Sequence, residues 1–266
     1  LRLARAPGRR LARPDALLWE SAVAVAAASV VLAYAVVPLG PSLVPTDLSL
    51  GLFFAMIVLG PLMVAFMDAG WGSNGKLGVV ASFRAAAHVI GYEVTFGFAV
   101  LGPAMMAGSL SAVRIVEAQE RVWFVLLQPG SFAIYLASAL LLAYRYPFDL
   151  PFAGPELAGG IAREYAGLER AVLSGVRHAL LGVVAATGTI MFLGGWQGPV
   201  LPPAAWTVLK TAALVAALTA LPLALPRLRL DQMLAFSWKA VLPFALVNIV
   251  VVGIVTFAAE TLGWLP

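Results

Sequence analysis

Residues 122–157 read VWFVLLQPGSFAIYLASALLLAYRYPFDLPFAGPEL, an apolar segment that runs into a proline-rich, acidic loop. A helix needs roughly 20 apolar residues to cross the hydrocarbon core of a bilayer, and the segment 122–144 is long enough. Pro147 and Pro151 fix φ and remove backbone donors, so no continuous helix can run through the loop. The carboxylates of Asp149 and Glu156 then lie outside the hydrocarbon, where they can dock a partner, line a cavity or handle protons.

The rest of the chain has the same apolar character. Hydrophobic residues make up 62% of the 266 residues and charged residues only 11%, against about 25% charged in ordinary soluble domains. Backbone groups in lipid must pair within their own segment, so spans this apolar are helices. The sequence predicts an all-α, polytopic transmembrane helical bundle with about seven spans, at roughly 17–40, 49–69, 85–108, 122–144, 171–193, 205–225 and 239–262.

The positions of lysine and arginine predict the orientation of the bundle. Residues 1–16 form a basic juxtamembrane segment, and 17–266 form a single transmembrane domain. With the N-terminus in the cytoplasm, the loops at about 70–84, 145–170 and 226–238 are cytoplasmic and carry most of the cations. The outer loops carry only Arg114 and Arg121, as expected for a multi-pass protein of the inner (plasma) membrane. The net charge of +4 therefore reflects topology, and no nucleic-acid partner is expected.

Residue types limit the chemistry that the chain can perform alone. It has no cysteine, which excludes disulfides, thiol catalysis and cysteine ligation of iron–sulfur clusters by this chain. His88 and His178 are isolated in sequence, so no metal site is expected. Any part in redox chemistry must then consist of binding and electrostatics.

Ionisable residues inside a span are costly and point to function. Arg84, His88 and Tyr92 share one helix face at i, i+4 and i+8, and Glu93 lies about 100° away from Tyr92. This face predicts the wall of a wet cavity, although a helix–helix contact that pairs Glu93 with a cation would give the same pattern. Lys210, in the sixth segment, is expected to extend its ammonium outward to the interface.

Five stretches in order resemble the H subunit family of the proton-pumping NADH:quinone oxidoreductase, respiratory complex I. They are GWGSNGK (70–76), RAAAH with GYEV (84–94), the loop 146–157 with REYAG (163–167), LGGW (193–196), and PRLRLDQ (226–232) followed by Trp238-Lys239 and Leu242-Pro243. Each stretch is weak alone. Their order and spacing over about residues 15–260 carry the resemblance.

The resemblance implies a membrane subunit that docks the hydrophilic redox arm, helps form the quinone chamber and links quinone reduction to proton translocation. Quinone would be the substrate, with iron–sulfur clusters and FMN held only by partner subunits. Those partners would be the hydrophilic quinone-site and iron–sulfur subunits, small membrane subunits, antiporter-like subunits and membrane lipid. The residues implied for the chamber and proton path are Asp149, Glu156, Glu164, Glu93, Arg84 and Tyr92; those implied for docking are Lys76, Arg227, Arg229, Asp231 and Lys239.

The chain departs from the family pattern in several places. Family members usually open with another span and an amphipathic stretch, and this sequence begins after both. The family's loop carries acids where this chain has Phe152 and Gly154, and further acids fall at Leu142 and Arg177. Losing carboxylates and gaining a cation should lower proton occupancy along the path, so we expect proton coupling that is weaker or different. A reconstituted complex would then show a reduced proton-to-electron ratio, and an undiminished ratio would contradict this expectation.

Two other classes of function fit the same residues. One is a subunit of a related hydrogenase or ion-translocating complex that works without quinone and uses Glu93, Asp68 and Lys210. Against transport by this chain stand the absent internal repeat and the absent broken-helix pair. The other is a structural membrane anchor with reduced proton coupling, which the missing acids favour.

Overall fold

The computed structural model describes residues 15–152, 157, 159–220, 226 and 228–262. The helices of this part of the chain are α1 (Ala16–Tyr34), α2 (Gly51–Trp71), α3 (Lys76–Ala107), α4 (Ala112–Glu117), α5 (Phe124–Leu127), α6 (Pro129–Leu142), α7 (Ile161–Glu164), α8 (Gly167–Phe192), α9 (Pro203–Ala220), α10 (Leu230–Phe236) and α11 (Leu242–Thr261). A π-helical turn (Ser237–Val241) joins α10 to α11. Six helical runs are long and apolar enough to cross a membrane, which confirms the predicted polytopic helical bundle.

The fourth predicted span is divided into two pieces. Gln128 has φ −138° and ψ 63°, outside the helical region, and it separates α5 from the 14-residue α6. The break comes directly before Pro129, where the proline ring disfavours a helical conformation in the preceding residue. At 1.5 Å per residue α6 is about 21 Å long, shorter than a hydrocarbon core of about 30 Å.

Helix α3 is the central element of the bundle. It packs against α2, α6 and the α10–α11 run, while α1 packs against α2 and α8, and α9 packs against α8. Glycines allow α2 and α3 to approach closely. A Cβ at Gly70 would lie 2.6 Å from the carbonyl oxygen of Gly78, and the hydroxyl of Ser82 donates to the carbonyl of Met67 at 2.7 Å. The connection between α2 and α3 is therefore short, and residues 76–84, predicted as loop, are the first turns of α3.

Successive spans alternate in direction and define two ends of the bundle. One end of the bundle, which we call the basic end, contains the starts of α1, α3, α8 and α10 and the ends of α2, α6 and α9. Contacts between elements agree with this alternation: the amide of Asp15 donates to the carbonyl of Gly72 at 2.9 Å, and the rings of Phe148 and Phe236 stack at 6.4 Å. Asp149 and Arg229 thus belong to the same end. The opposite end, which we call the far end, carries the α3–α4 and α8–α9 connections.

The Lys210 ammonium reaches the α8–α9 connection at the far end, where it is enclosed by protein. The side chain is buried, and its ammonium donates to the carbonyls of Leu193 at 2.6 Å and Gln197 at 2.7 Å. It also lies 4.2 Å from the ring centroid of Trp123. The carbonyls at the C-terminus of a helix lack intrahelical donors, so a cation there satisfies them and complements the helix dipole. Lys210 is held inward because it caps α8.

Candidate functional site

The Asp149 loop leaves α6 through a tight turn. Tyr144 has a φ of +47°, and the amide of Phe148 donates to the carbonyl of Arg145 at 2.7 Å. A 3₁₀ turn (Leu150–Phe152) follows, in which the amide of Phe152 donates to the carbonyl of Asp149 at 3.0 Å. Asp149 itself is half-buried. The loop is thus folded back on the bundle and holds its carboxylate near the helices.

Three aromatic rings fix this loop to α2. Phe66, Tyr144 and Phe152 contact one another edge to face, with centroid separations of 5.3–5.5 Å. The hydroxyl of Tyr144 donates to the sulfur of Met63 at 3.1 Å. Burial raises the pKa of Tyr144, with Arg177 opposing that rise, so the phenol stays protonated and remains a donor. Each aromatic pair of this kind adds about 0.5–1.5 kcal/mol beyond its buried area.

Arg177, on α8, reaches the loop and completes a charge cluster. Its guanidinium carbon lies 3.9 Å from the ring centroid of Phe152, and its Nη2 donates to the carbonyl of Tyr144 at 3.4 Å. It interacts electrostatically with both Arg145 and Asp149. Burial lowers the pKa of Arg145. Among the described residues, the cluster thus places two half-buried cations beside one half-buried carboxylate.

A second contact joins the basic ends of α1 and α8. Trp19 stacks on Tyr165 with ring centroids 3.7 Å apart, and its indole nitrogen donates to the carboxylate of Glu169 at 3.1 Å. The hydroxyl of Tyr165 donates to the carbonyl of Trp19 at 3.2 Å. Burial raises the pKa of Tyr165, and the carboxylates of Glu169 and Asp68 raise it further. The residues before α8 are therefore held against α1.

The predicted face of α3 is divided between core and cavity. His88 and Tyr92 are buried, and the His88 ring lies 5.0 Å from that of Tyr144, centroid to centroid. Arg84 is half-buried and Glu93 is exposed. Tyr92 and Glu93 line a cavity of about 160 Å³ whose other walls are apolar side chains of α2, α3 and α6, including Leu142. His88 lies outside that lining.

The predicted docking residues fall into two groups. Lys76 begins α3 at the basic end and is exposed. Arg229 precedes α10 and pairs with Asp231 at 3.3 Å, both side chains being largely exposed. Lys239 is also exposed but lies in the π-helical turn, about 13 Å along the helix from Leu230. Glu164 is the last residue of α7, whereas Glu156, Gly154 and Arg227 lie outside the described residues.

Known proteins match this sequence along most of its length. The family model for NADH dehydrogenase matches residues 10–253. One relative, an H subunit of the NADH-quinone oxidoreductase of Rhodopseudomonas palustris, is 38% identical over 244 residues, covering 92% of this chain and 76% of the relative. Another, an H subunit of the same enzyme from Syntrophobacter fumaroxidans, is 41% identical, covering 89% of this chain and 74% of the relative.

The chain belongs to the family of NADH-quinone oxidoreductase H subunits. It is a multi-pass membrane subunit of an oxidoreductase complex. In this chain the structure assembles a candidate site at the basic end, from the Asp149 loop, Arg145 and Arg177. The sequence predicts Asp149 as a site residue and Arg177 as a departure from the family pattern, but not their joint placement with Phe152. It does not predict Trp19 or Glu169 as partners either. The signal for Trp19 is its position at the start of an apolar segment, because a buried indole N–H usually finds a hydrogen-bond partner.

Arg177 and Phe152 should stabilise the protein as a pair. In a double-mutant cycle, Arg177→Met and Phe152→Leu each remove the same cation–π contact. We expect a coupling energy of about 0.5–2 kcal/mol between them, from equilibrium unfolding of the purified protein in detergent.

Phe83, an exposed aromatic on α3, supplies the matched control. Phe83→Leu combined with Arg177→Met should give strictly additive effects. Additivity in the Phe152 cycle as well would show that the contact contributes nothing to stability.

Proposed function

We propose that this chain is the membrane subunit that docks the redox arm of an NADH-quinone oxidoreductase, helps form its quinone chamber and links quinone reduction to proton translocation. Family membership supports the assignment to the complex. The observation that carries the finer role is the half-buried Asp149 loop, held by aromatic contacts beside Arg145 and Arg177 at the basic end.

The charge cluster suits a neutral substrate that becomes anionic. A quinone headgroup gains negative charge on reduction and then takes up protons. Fixed cations such as Arg177 stabilise that charge, because an arginine remains protonated throughout the physiological range. Asp149 adds a carboxylate to the same cluster and interacts electrostatically with Arg177. The chain thus contributes binding and electrostatics, while iron–sulfur clusters and FMN belong to partner subunits.

Docking of the redox arm is assigned to exposed charges of the basic end. Lys76, Arg229 and Asp231 are exposed there, and rim charges of this kind steer association and fix register more than they add affinity. We assign Arg227 and Lys239 to the same docking role from their places in the sequence, with Lys239 lying further along the helix than the other charges. The hydrophilic quinone-site and iron–sulfur subunits are the proposed partners.

The proton path is assigned to the cavity beside Tyr92 and Glu93, with Arg84 toward the basic end and Glu156 and Glu164 on the loop. Glu93 is exposed on the isolated chain, so its carboxylate would meet lipid or, more favourably, a small membrane subunit or an antiporter-like subunit. A path that ends at this exposed carboxylate continues into a neighbouring subunit rather than across this chain alone.

A second candidate function is a structural anchor with reduced proton coupling. The observation that favours it is the Arg177–Phe152 contact, because the resemblance places acids at both positions. A stacked cation and ring cannot carry protons as two carboxylates would.

Loss of the Asp149 charge should distinguish the two functions. We expect Asp149→Asn to lower NADH-dependent quinone reduction by about tenfold or more, equivalent to about 1.4 kcal/mol or more of lost transition-state stabilisation. The measurement is quinone-reductase activity of membranes that contain equal amounts of assembled complex.

Glu120→Gln is the matched control, because Glu120 is an exposed acid at the far end. It should leave activity unchanged. If Asp149→Asn retains full activity, the anchor role is favoured and the quinone-chamber role is contradicted.

The proposed orientation can be tested because the chain has no cysteine. A single cysteine at Val200, an exposed residue in the α8–α9 connection at the far end, should react with an impermeant maleimide in intact spheroplasts. A cysteine at Lys76 should react only after the membrane is opened. The reverse pattern would place the basic end outside and contradict docking of a cytoplasmic redox arm.

A further inference from the structure

A groove opens on the outer surface of the bundle between α6 and the α10–α11 run. It has a volume of about 320 Å³, and the seven residues that line it are alanine, valine, isoleucine or phenylalanine. Ala133 and Ala137 form its α6 side, and Phe236, Ala240 and Phe244 form its α10–α11 side. We call this feature the α6–α11 groove.

The sizes of the side chains create the groove. Ala240 lies about one helical turn from Phe236 and from Phe244, so a small side chain stands between two rings. Alanines one turn apart keep the facing surface of α6 low. Phe236 is 40% exposed and Phe244 is 51% exposed, and Ala133 and Ala240 are exposed as well. The groove is therefore open on the outside of the bundle.

The charge pattern of α11 places the groove at the edge of the hydrocarbon. Residues 240–259 carry no charged side chain, and Lys239 and Glu260 flank them. At 1.5 Å per residue this stretch spans about 30 Å, which is the thickness of the hydrocarbon core. Trp238 and Lys239 are both exposed, and these residue types place their polar ends among lipid headgroups. The groove thus begins at the headgroup level of the basic end and extends into the acyl-chain region.

Lys239 gives the mouth of the groove a positive charge. Side chains of a helix lean toward its N-terminus, which for this run is the basic end, so the Lys239 ammonium is directed toward the headgroups. Asp231, the acid that precedes it on this run, lies about 12 Å away along the helix and pairs with Arg229. A negatively charged headgroup is the complement that the membrane itself supplies at this depth.

The size of the groove favours a single lipid chain over a partner protein. Protein–protein interfaces use about 20–30 residues on each side, whereas seven residues line this groove. Its volume is at the lower end of the range of about 300–1,000 Å³ for small-molecule sites. Lipid tails are as apolar as the groove, so apolar burial alone does not select an occupant, and the charge at the mouth does. We infer that the α6–α11 groove binds an acyl chain of an anionic phospholipid whose phosphate is held by Lys239.

The groove shares one wall with the Asp149 loop. The ring of Phe236 stacks on that of Phe148 at 6.4 Å, so a lipid chain in the groove contacts the ring on which the loop rests. Lipid binding does not depend on the proposed quinone function. Lys239 can hold a phosphate and still take part in docking, because an ammonium has three donors.

Photo-crosslinking of the intact complex in liposomes tests this inference. Two probes carry the same diazirine-labelled acyl chain, one on phosphatidylglycerol and one on phosphatidylcholine, at equal mole fractions. One lysine near an anionic membrane surface changes a binding equilibrium by about fivefold. We expect about that excess of label from the phosphatidylglycerol probe at Ala137, Ala240 and Phe244, measured by mass spectrometry. Equal labelling by the two probes, or none by either, would overturn the inference.

Variants of Lys239 assign the preference to its charge. Lys239→Gln should abolish the excess of phosphatidylglycerol label, and Lys239→Arg should retain it. Arg163→Gln is the matched control, because Arg163 is an exposed cation of α7 at the basic end; it should leave the excess unchanged. An excess that survives Lys239→Gln would contradict the proposed role of the ammonium and overturn the inference.

A change in the floor of the groove tests the acyl-chain position without altering any charge. Ala240→Leu adds a branched side chain between the two rings, and Ala240 is exposed, so the bundle core is not disturbed. We expect labelling of Ala137 by both probes to fall several-fold. Ala258→Leu, at another exposed alanine of α11, is the control and should have no effect. Undiminished labelling in Ala240→Leu would show that the chain lies elsewhere, which also overturns the inference.

Discussion

Hydrocarbon offers no partner for a peptide group, and this one constraint determines most of the structure. An unsatisfied backbone group costs several kcal/mol in lipid, and at the far end side chains supply the hydrogen bonds that interrupted helices lose. At the far end the buried amide of Gln119 bridges Ile115, Ile190, Phe124 and Gly194, and Lys210 satisfies the end of α8. Irregular backbone exists there because a polar side chain supports it.

At the basic end, aromatic and charged side chains support the irregular backbone. Phe66, Tyr144 and Phe152 hold the Asp149 loop, and Arg177 covers Phe152 while donating to the carbonyl of Tyr144. A polar loop is thereby kept against the ends of the spans instead of extending into water. This placement lets a small number of charged groups act on whatever binds at that end, because their field is screened less in a partly buried site.

Features of the fold that depend on local properties are predictable from the sequence. The length and apolarity of the segments predict the bundle, and proline positions predict the loop after α6. Contacts between residues that are far apart in the sequence are not predictable in this way. The pairing of Arg177 with Phe152 depends on how α8 lies against the loop. Lys210 could not be assigned as a cap without knowing that the end of α8 lies beside it. Helix α6 is short because Gln128-Pro129 interrupts the predicted span. The uniformly high hydropathy of 122–144 gives no indication of this interruption.

The stack of Trp19 on Tyr165 has a mechanical consequence. Two hydrogen bonds accompany it, one to Glu169 and one to the Trp19 carbonyl, so the first turn of α1 and the start of α8 must move as a single body. A helix tilts when the thickness of its bilayer changes. Any such tilt of α1 would therefore act on the segment around Tyr165 through one indole ring.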